Sequence, residues 1–461
     1  MLVIAKTKDK ELGILLEMLN RHCLITGSTG SGKTRTLQVI AENLSRAGTP
    51  VFLADVKGDL SGLSRPGVST DKIAKRCKSL GIKQFTFQNY PVRFWDVYGE
   101  NGIPMRTTVE EMGPILIAKL LGLSEVQEGT LMQAFKISAD LNCSLTSLAD
   151  LKAVLEYVLE NAKVLTKYGR ISVTSVGAVQ RALLSLEMEQ GNLLFGVPLD
   201  INDLMTTPGG YGTINVLTAD KLMQSSKMYA AVLLNLLTQL YAGLPEVGDL
   251  PKPKIVLCFD EAHLIFKDCS KVLLNKVEQV IRLVRSKGVG IIMITQSPND
   301  LPSTILGQLN NKIQHRLNFY TPADFVAVKA AAKGMRSNAK IDTEKAICEL
   351  GTGEILISCL DEKGIPNVVE RALALPPSSN AAGITDTERQ EIINKSPLLN
   401  KYSKTDVDKE STAAIIKREQ PVQQYSKGRE KESIPIGVQL FNSLIKSGSG
   451  KGFVGKLLKM I

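Results

Sequence analysis

The sequence predicts an α/β fold on a mainly parallel sheet, with an α-helical insertion and a basic C-terminal tail. Three observations carry this. Short β-branched runs recur at Cys23–Thr26, Val51–Asp55, Gln84–Gln88, Thr213–Thr218, Ile255–Phe259 and Gly290–Thr295. Nearly continuous apolar runs suit strands covered by helices on both faces. Helical patterns such as Thr34–Ala47 alternate with the first of them, as βαβ units require. From about Thr107 helix formers take over, with runs at Ile115–Leu121 and Leu151–Val164.

These elements divide the 461 residues into four segments. Residues 1–106 form the first part of the α/β core, and residues 107–205 the helical insertion. Residues 206–377 complete the core and end in a hairpin, Glu354–Leu360 and Asn367–Leu373, turning at Asp361-Glu362-Lys363-Gly364. Gly364 supplies the positive φ of that turn. After Pro376-Pro377 the composition shifts: residues 378–461 hold 14 Lys and Arg against 9 Asp and Glu, with few aromatics. This tail is expected to be disordered or loosely helical. Its last stretch, Val438 to Lys459, alternates apolar and basic groups in an amphipathic pattern that suits a partner protein or a membrane surface.

Apolar residues at 44% and charged residues at 22% exclude a fibrous or wholly disordered chain. The net charge of +10 fits either a polyanionic partner, such as nucleic acid, or a solvated basic surface. Seven scattered cysteines without a Cys-x-x-Cys pair, and only three histidines, speak against a zinc site or a disulfide framework. Met1-Leu2-Val3-Ile4-Ala5-Lys6 lacks the pattern of a signal peptide. No apolar run reaches the roughly 18 residues of a membrane span, the longest candidate being Tyr229–Leu240. A cytoplasmic location is expected.

Gly27-Ser28-Thr29-Gly30-Ser31-Gly32-Lys33-Thr34 fits G-x-x-x-x-G-K-[ST] in full, with a strand before it and a helical pattern after it. Its glycines let backbone N–H groups turn inward around phosphates, and the helix adds its positive N-terminal dipole. Lys33 brings a point charge to the phosphates, and the Thr34 hydroxyl is a ligand for Mg²⁺. ATP and Mg²⁺ are the expected ligands. Ile255-Val256-Leu257-Cys258-Phe259-Asp260-Glu261 is an apolar strand ending in two carboxylates, the Walker B pattern. Asp260 is the candidate for the Mg²⁺ shell, and Glu261 for orienting and deprotonating the attacking water.

Four further places stay open. Gln296, after the Gly290–Thr295 run, either senses the γ-phosphate, positions the attacking water, or merely marks a polar strand-to-loop transition. Arg282 and Arg285, three apart on one helical face, are either a trans arginine finger or a solvated basic face. Asp55 and Lys57 either line the site or make a turn. His263 has no assigned role. Ser447-Gly448-Ser449-Gly450-Lys451-Gly452 imitates a phosphate loop, but Gly452 stands where Ser or Thr is required, so it reads as linker.

The chain resembles the HerA–FtsK superfamily of P-loop ATPases, and most nearly the bacterial HerA-like helicases of the YjgR family. The resemblance rests on the phosphate loop with Arg21–Thr26 before it, Ala54–Leu60, Phe259–His263, Ile281–Gly290 and Glu349–Glu354. It implies a RecA-like core, a homo-oligomeric, hexameric ring with sites completed between subunits, and ATP-driven movement of DNA. It favours the trans reading of Arg282 or Arg285. With the loop opening at Gly27, no room is expected for the N-terminal barrel of archaeal HerA. DNA contact is expected through phosphates, without sequence specificity. A motor on a protein substrate and a nucleotide-gated scaffold are the alternative functions.

Overall fold

The computed structural model describes residues 1–404 except 268 and 270, together with residues 412, 415 and 416. Among them, twelve strands share one sheet. They are β1 (Leu2–Lys6), β2 (Glu11–Ile14), β3 (Cys23–Thr26), β4 (Val51–Asp55), β5 (Val92–Asp96), β6 (Ile103–Pro104), β7 (Ile214–Thr218), β8 (Ile255–Phe259), β9 (Val289–Thr295), β10 (Asn311–Gln314), β11 (Glu354–Ser358) and β12 (Glu370–Ala374). The spatial order is β2-β1-β12-β11-β10-β3-β9-β8-β4-β7-β5-β6. From β10 to β5 every pairing is parallel, and β11, β12, β1 and β2 extend the sheet antiparallel. Every residue of β3, β4, β7, β8 and β9 is buried, which is why these strands read as unbroken apolar runs. The late hairpin is present as β11 and β12, with Gly364 at φ +74°.

The Gln84–Gln88 run is not a strand. Its alternation comes from Phe85 and Phe87, which half-bury and meet edge-on at 5.2 Å. The Gln88 N–H donates to the Ser378 carbonyl at 3.1 Å rather than to a ladder, and β5 beside β7 takes the place expected for this run. Four further strands lie outside the expected runs: β1, whose Leu2-Val3-Ile4-Ala5 is apolar, and β2, β6 and β10, whose signal is weak. In β10 the buried Asn311 Nδ2 donates to the carbonyls of Met18 and His22, both at 3.0 Å, and its Oδ1 accepts from Leu360 N–H at 3.1 Å. The polar side chain is satisfied by backbone, so burial costs little.

Two compact units divide the chain. The first comprises Met1–Ile103, Asp200–Ser226 and Gly243–Leu399. It carries α1 (Lys33–Arg46) and α2 (Asp71–Ser79). The second comprises Pro104–Leu199, Lys227–Ala242 and the described residues from Asn400. It holds α3 (Val109–Leu121), α4 (Glu125–Asp140), α5 (Leu148–Glu160), α6 (Val173–Met188) and most of α7 (Ser226–Gly243). The apolar Tyr229–Leu240 run lies in α7 and is mostly buried. Helix α5 stops short of Val164 because Asn161 caps it, its Nδ2 donating to the Tyr157 carbonyl at 2.9 Å. Back in the first unit follow α8 (His263–Phe266), α9 (Lys271–Val284), α10 (Ser303–Leu306), α11 (Pro322–Lys333), α12 (Thr343–Glu349) and α13 (Asp386–Asn394). Among the described residues no helix is long and apolar enough to cross a membrane.

Regular structure continues past Pro377, against the expectation for residues 378–461. The buried Glu42 carboxylate on α1 accepts from the N–H and the hydroxyl of both Ser378 and Ser379, at 2.5–2.9 Å. Arg65 pairs with Glu388 of α13 at 3.2 Å. Specific polar pairing, invisible to composition, ties this segment down. The amphipathic Val438–Lys459 stretch and the Ser447–Gly452 imitation lie outside the described residues.

Candidate active site

The phosphate loop leaves β3 and enters α1, as its sequence context requires. A Cβ at Gly27 would stand 2.5 Å from His315 Cβ and 2.8 Å from Ser31 Oγ, so only glycine fits. Gly30 and Gly32 turn the loop with φ of +75° and +110°. Ser28 N–H donates to the Arg316 carbonyl at 2.8 Å, and Ser28 Oγ accepts from Asn318 N–H at 2.8 Å. Lys33, the first residue of α1, folds its ammonium back onto the loop, donating to the carbonyls of Gly27 and Ser28, the latter at 3.1 Å. Partial burial lowers its pKa, opposed by the nearby Asp260 and Glu261.

Strand register brings the acids to the same edge. Thr26 pairs with Thr295, and Phe259 with Met293, so Gly27, Asp260, Glu261 and Gln296 all leave the carboxyl edge of adjacent strands. Burial and the adjacent Glu261 raise the pKa of Asp260. Glu261 has φ +47°, a left-handed conformation that costs a non-glycine residue roughly 1–2 kcal/mol. Its N–H donates to Asp260 Oδ1 at 3.0 Å, which aims the two carboxylates apart. Gln296 is presented by a Ser297–Asp300 capping box, and its Nε2 lies 3.4 Å from Glu261 Oε1. A cavity of about 460 Å³ opens here, lined by Ser28, Thr29, His263, Gln296 and Asn318 among others.

Asp55 makes a turn: its carboxylate accepts from the N–H groups of Lys57, Gly58 and Leu60 at 2.8–3.2 Å. Burial lifts its pKa to about 6. The Lys57 N–H belongs to this turn, while its side chain is near enough to act electrostatically on Lys33 and Asp260. Two residues that sequence reasoning missed grip the loop from beneath. The Ser31 carbonyl meets His315 Nδ1 at 3.1 Å and Gly353 N–H at 3.3 Å. Burial lowers the His315 pKa to about 4, so the ring is neutral and Nδ1–H is the donor. The signal was present in Gln314-His315 and Gly351-Thr352-Gly353, but neither pattern points to a phosphate loop by itself.

Arg282 and Arg285 are not part of this cluster. Arg285 precedes β9, at the amino edge of the sheet, about 20 Å away along a strand of seven residues. There it pairs with Asp249 at 3.3 Å. Arg282, in the last turn of α9, is exposed. Neither reaches the phosphate loop of its own chain.

The groups present fit a nucleoside triphosphate with its divalent cation. The glycines leave a cradle that a Cβ would obstruct, and a lysine stands beside it. Thr34 and Asp260 offer the hard oxygen donors Mg²⁺ prefers. Residues 1–442 match the family model described as "Helicase HerA-like C-terminal". The chain belongs to that family. Among HerA relatives, the "DNA double-strand break repair helicase HerA" of Sulfolobus acidocaldarius is 22% identical over 350 residues, covering 75% of this chain and 64% of that one. The protein of the same description from Sulfurisphaera tokodaii is 24% identical over 356 residues, covering 76% and 64%. The chain thus spans about 64% of the length of these curated relatives. The fold is shared with the plasmid coupling protein TrwB. Its complex with the non-hydrolysable ATP analogue ADPNP gives a TM-score of 0.53 at 13% identity, over 79% of this chain and 89% of that one. Its complex with ADP and Mg²⁺ gives 0.51 at 14%, over 83% and 92%.

Proposed function

We propose that this HerA-family chain is an ATP-hydrolysing ring motor that moves on, or remodels, DNA without sequence specificity. The observation that carries the hydrolytic part is the convergence of Lys33, Asp260, Glu261 and Gln296 at one sheet edge around the phosphate loop. Lys33 exchanges the Gly27 and Ser28 carbonyls for the phosphates. Thr34 and Asp260 would hold Mg²⁺, which when bound would neutralise phosphate charge. Glu261 takes the proton of the attacking water, and Gln296 helps to orient that water. DNA as the substrate is supported by the net charge of +10 and by the description of the HerA relatives.

Because Arg282 and Arg285 stand at the far edge, either serves a phosphate group only on a neighbouring copy. Arg285 is engaged by Asp249, so Arg282 is the finger we assign, in a homo-oligomer of six. The deciding experiment is ATP turnover with and without single- and double-stranded DNA, at about 50 and 200 mM salt, where phosphate contacts weaken steeply. Salt-sensitive stimulation is expected. Turnover indifferent to DNA at both salts overturns the DNA reading and points to a protein substrate.

A further inference from the structure

Glu261 is a half-buried carboxylate whose Oε2 atom is buried and unmet. Its side chain is 14% exposed, and Oε2 has no hydrogen-bond partner. Directly opposite, at 3.6 Å, stands Nδ1 of His263, a ring one-third exposed, and that nitrogen also lacks a partner. On the other side, Gln296 Nε2 lies 3.4 Å from Oε1. The carboxylate is therefore bracketed by two donor groups, each at or just beyond bonding reach. Its backbone is pinned by the left-handed turn and by the bond from Ala262 N–H to the Ile294 carbonyl at 2.9 Å. A buried acceptor without a donor is costly, and a shift of about half an ångström in either side chain closes the His263 gap to the usual bonding distance.

We infer that His263 is a positioning residue for hydrolysis: its Nδ1–H takes Glu261 Oε2 as the site closes, leaving Oε1 and Gln296 to face the water. Two features favour this over a packing role. The ring lines the cavity rather than the core. It also opens α8 one residue after the acids, past the Ala262 cap, so the same turn that strains Glu261 sets its azimuth. The inference rests on the hydrolytic reading above.

The test is steady-state ATP turnover by H263A, H263N and H263Q, with E261Q beside them, and binding of a fluorescent ATP analogue as a separate readout. An asparagine amide nitrogen falls near the place of Nδ1, whereas that of glutamine lies a bond further out. H263A and H263Q are expected to lose about ten- to a hundredfold in kcat, with KM and analogue affinity within about twofold of wild type. H263N is expected to recover most of the loss. Unchanged kcat in H263A, or rescue by glutamine as good as by asparagine, overturns the role of His263. A loss in H263A that appears in KM and analogue binding instead makes it a nucleotide-site packing residue and also overturns the role. Turnover that survives E261Q overturns the hydrolytic assignment itself, so the two failures separate.

Discussion

Two edges of one sheet each hold a left-handed, non-glycine residue, and they use it differently. At the carboxyl edge Glu261 has φ +47°; at the amino edge His22 has φ +61°. Both His22 ring nitrogens are engaged, Nε2 with the Ile281 carbonyl at 2.9 Å and Nδ1 with Ile291 N–H at 3.2 Å. Beside it, Asp249 accepts from Arg285 at 3.3 Å and from Asn20 Nδ2 at 3.1 Å. At Glu261, by contrast, one carboxylate oxygen meets no donor. Backbone strain alone therefore does not mark a reactive centre. At Glu261 the strained residue itself carries the unmet oxygen, whereas the strained His22 has both ring nitrogens engaged.

Breaking that contrast gives ordered expectations. The largest effect is R282A, which should lose about 10³–10⁵ in turnover while R285A stays within about tenfold, its guanidinium serving an ordinary surface ion pair. Mixing R282A with K33A copies should restore part of the activity, since mixed rings regain composite sites; no recovery on mixing refutes the trans assignment. Next comes E261Q, with a loss of about 10²–10⁴ in turnover and nucleotide binding intact by fluorescence titration. K33A should weaken nucleotide affinity by about 10- to 100-fold.

The smallest effect belongs to the buried titratable groups. Burial lowers the pKa of His22 and of His315 to about 4 each, so between about pH 6.5 and 4 the unfolded chain binds protons that the folded chain refuses. Stability should rise with pH across that window, by up to about 1.4 kcal/mol per pH unit for each histidine. Asp55, with its pKa raised to about 6, works in the opposite direction between about pH 4 and 6, because there the folded chain holds the proton. Denaturant titration across this range should show a shallower slope for H315Q and a steeper one for D55N.

The carboxyl edge was largely legible from sequence because its chemistry is local. The phosphate loop and the Asp260-Glu261 pair announce themselves by spacing and by the strands before them. What escaped is non-local. His315 reaches Ser31 across 284 residues, and Gly353 arrives just before β11, one strand beyond β10 in the sheet order. Strand β10 stayed hidden because Asn311 and Gln314 are polar yet buried, satisfied in large part by partners on β3 and on the segments flanking it, far away in sequence. The Gln84–Gln88 run misled for the converse reason: alternating Phe85 and Phe87 mimic a strand, while the ladder position goes to β5. Arg285 shows the limit of motif spacing, since its pairing with Asp249 depends on a loop 36 residues upstream.

The four bonds that Ser378 and Ser379 give to Glu42 have a practical consequence for anyone dissecting the tail. Glu42 sits on the helix whose first turn carries Lys33, so a truncation after Pro377 would strip an interior anion of its donors and loosen the nucleotide site itself. Loss of activity in such a fragment would then be mistaken for a contribution of the tail to substrate recognition. A cut beyond Tyr402 keeps the clamp and asks the question cleanly.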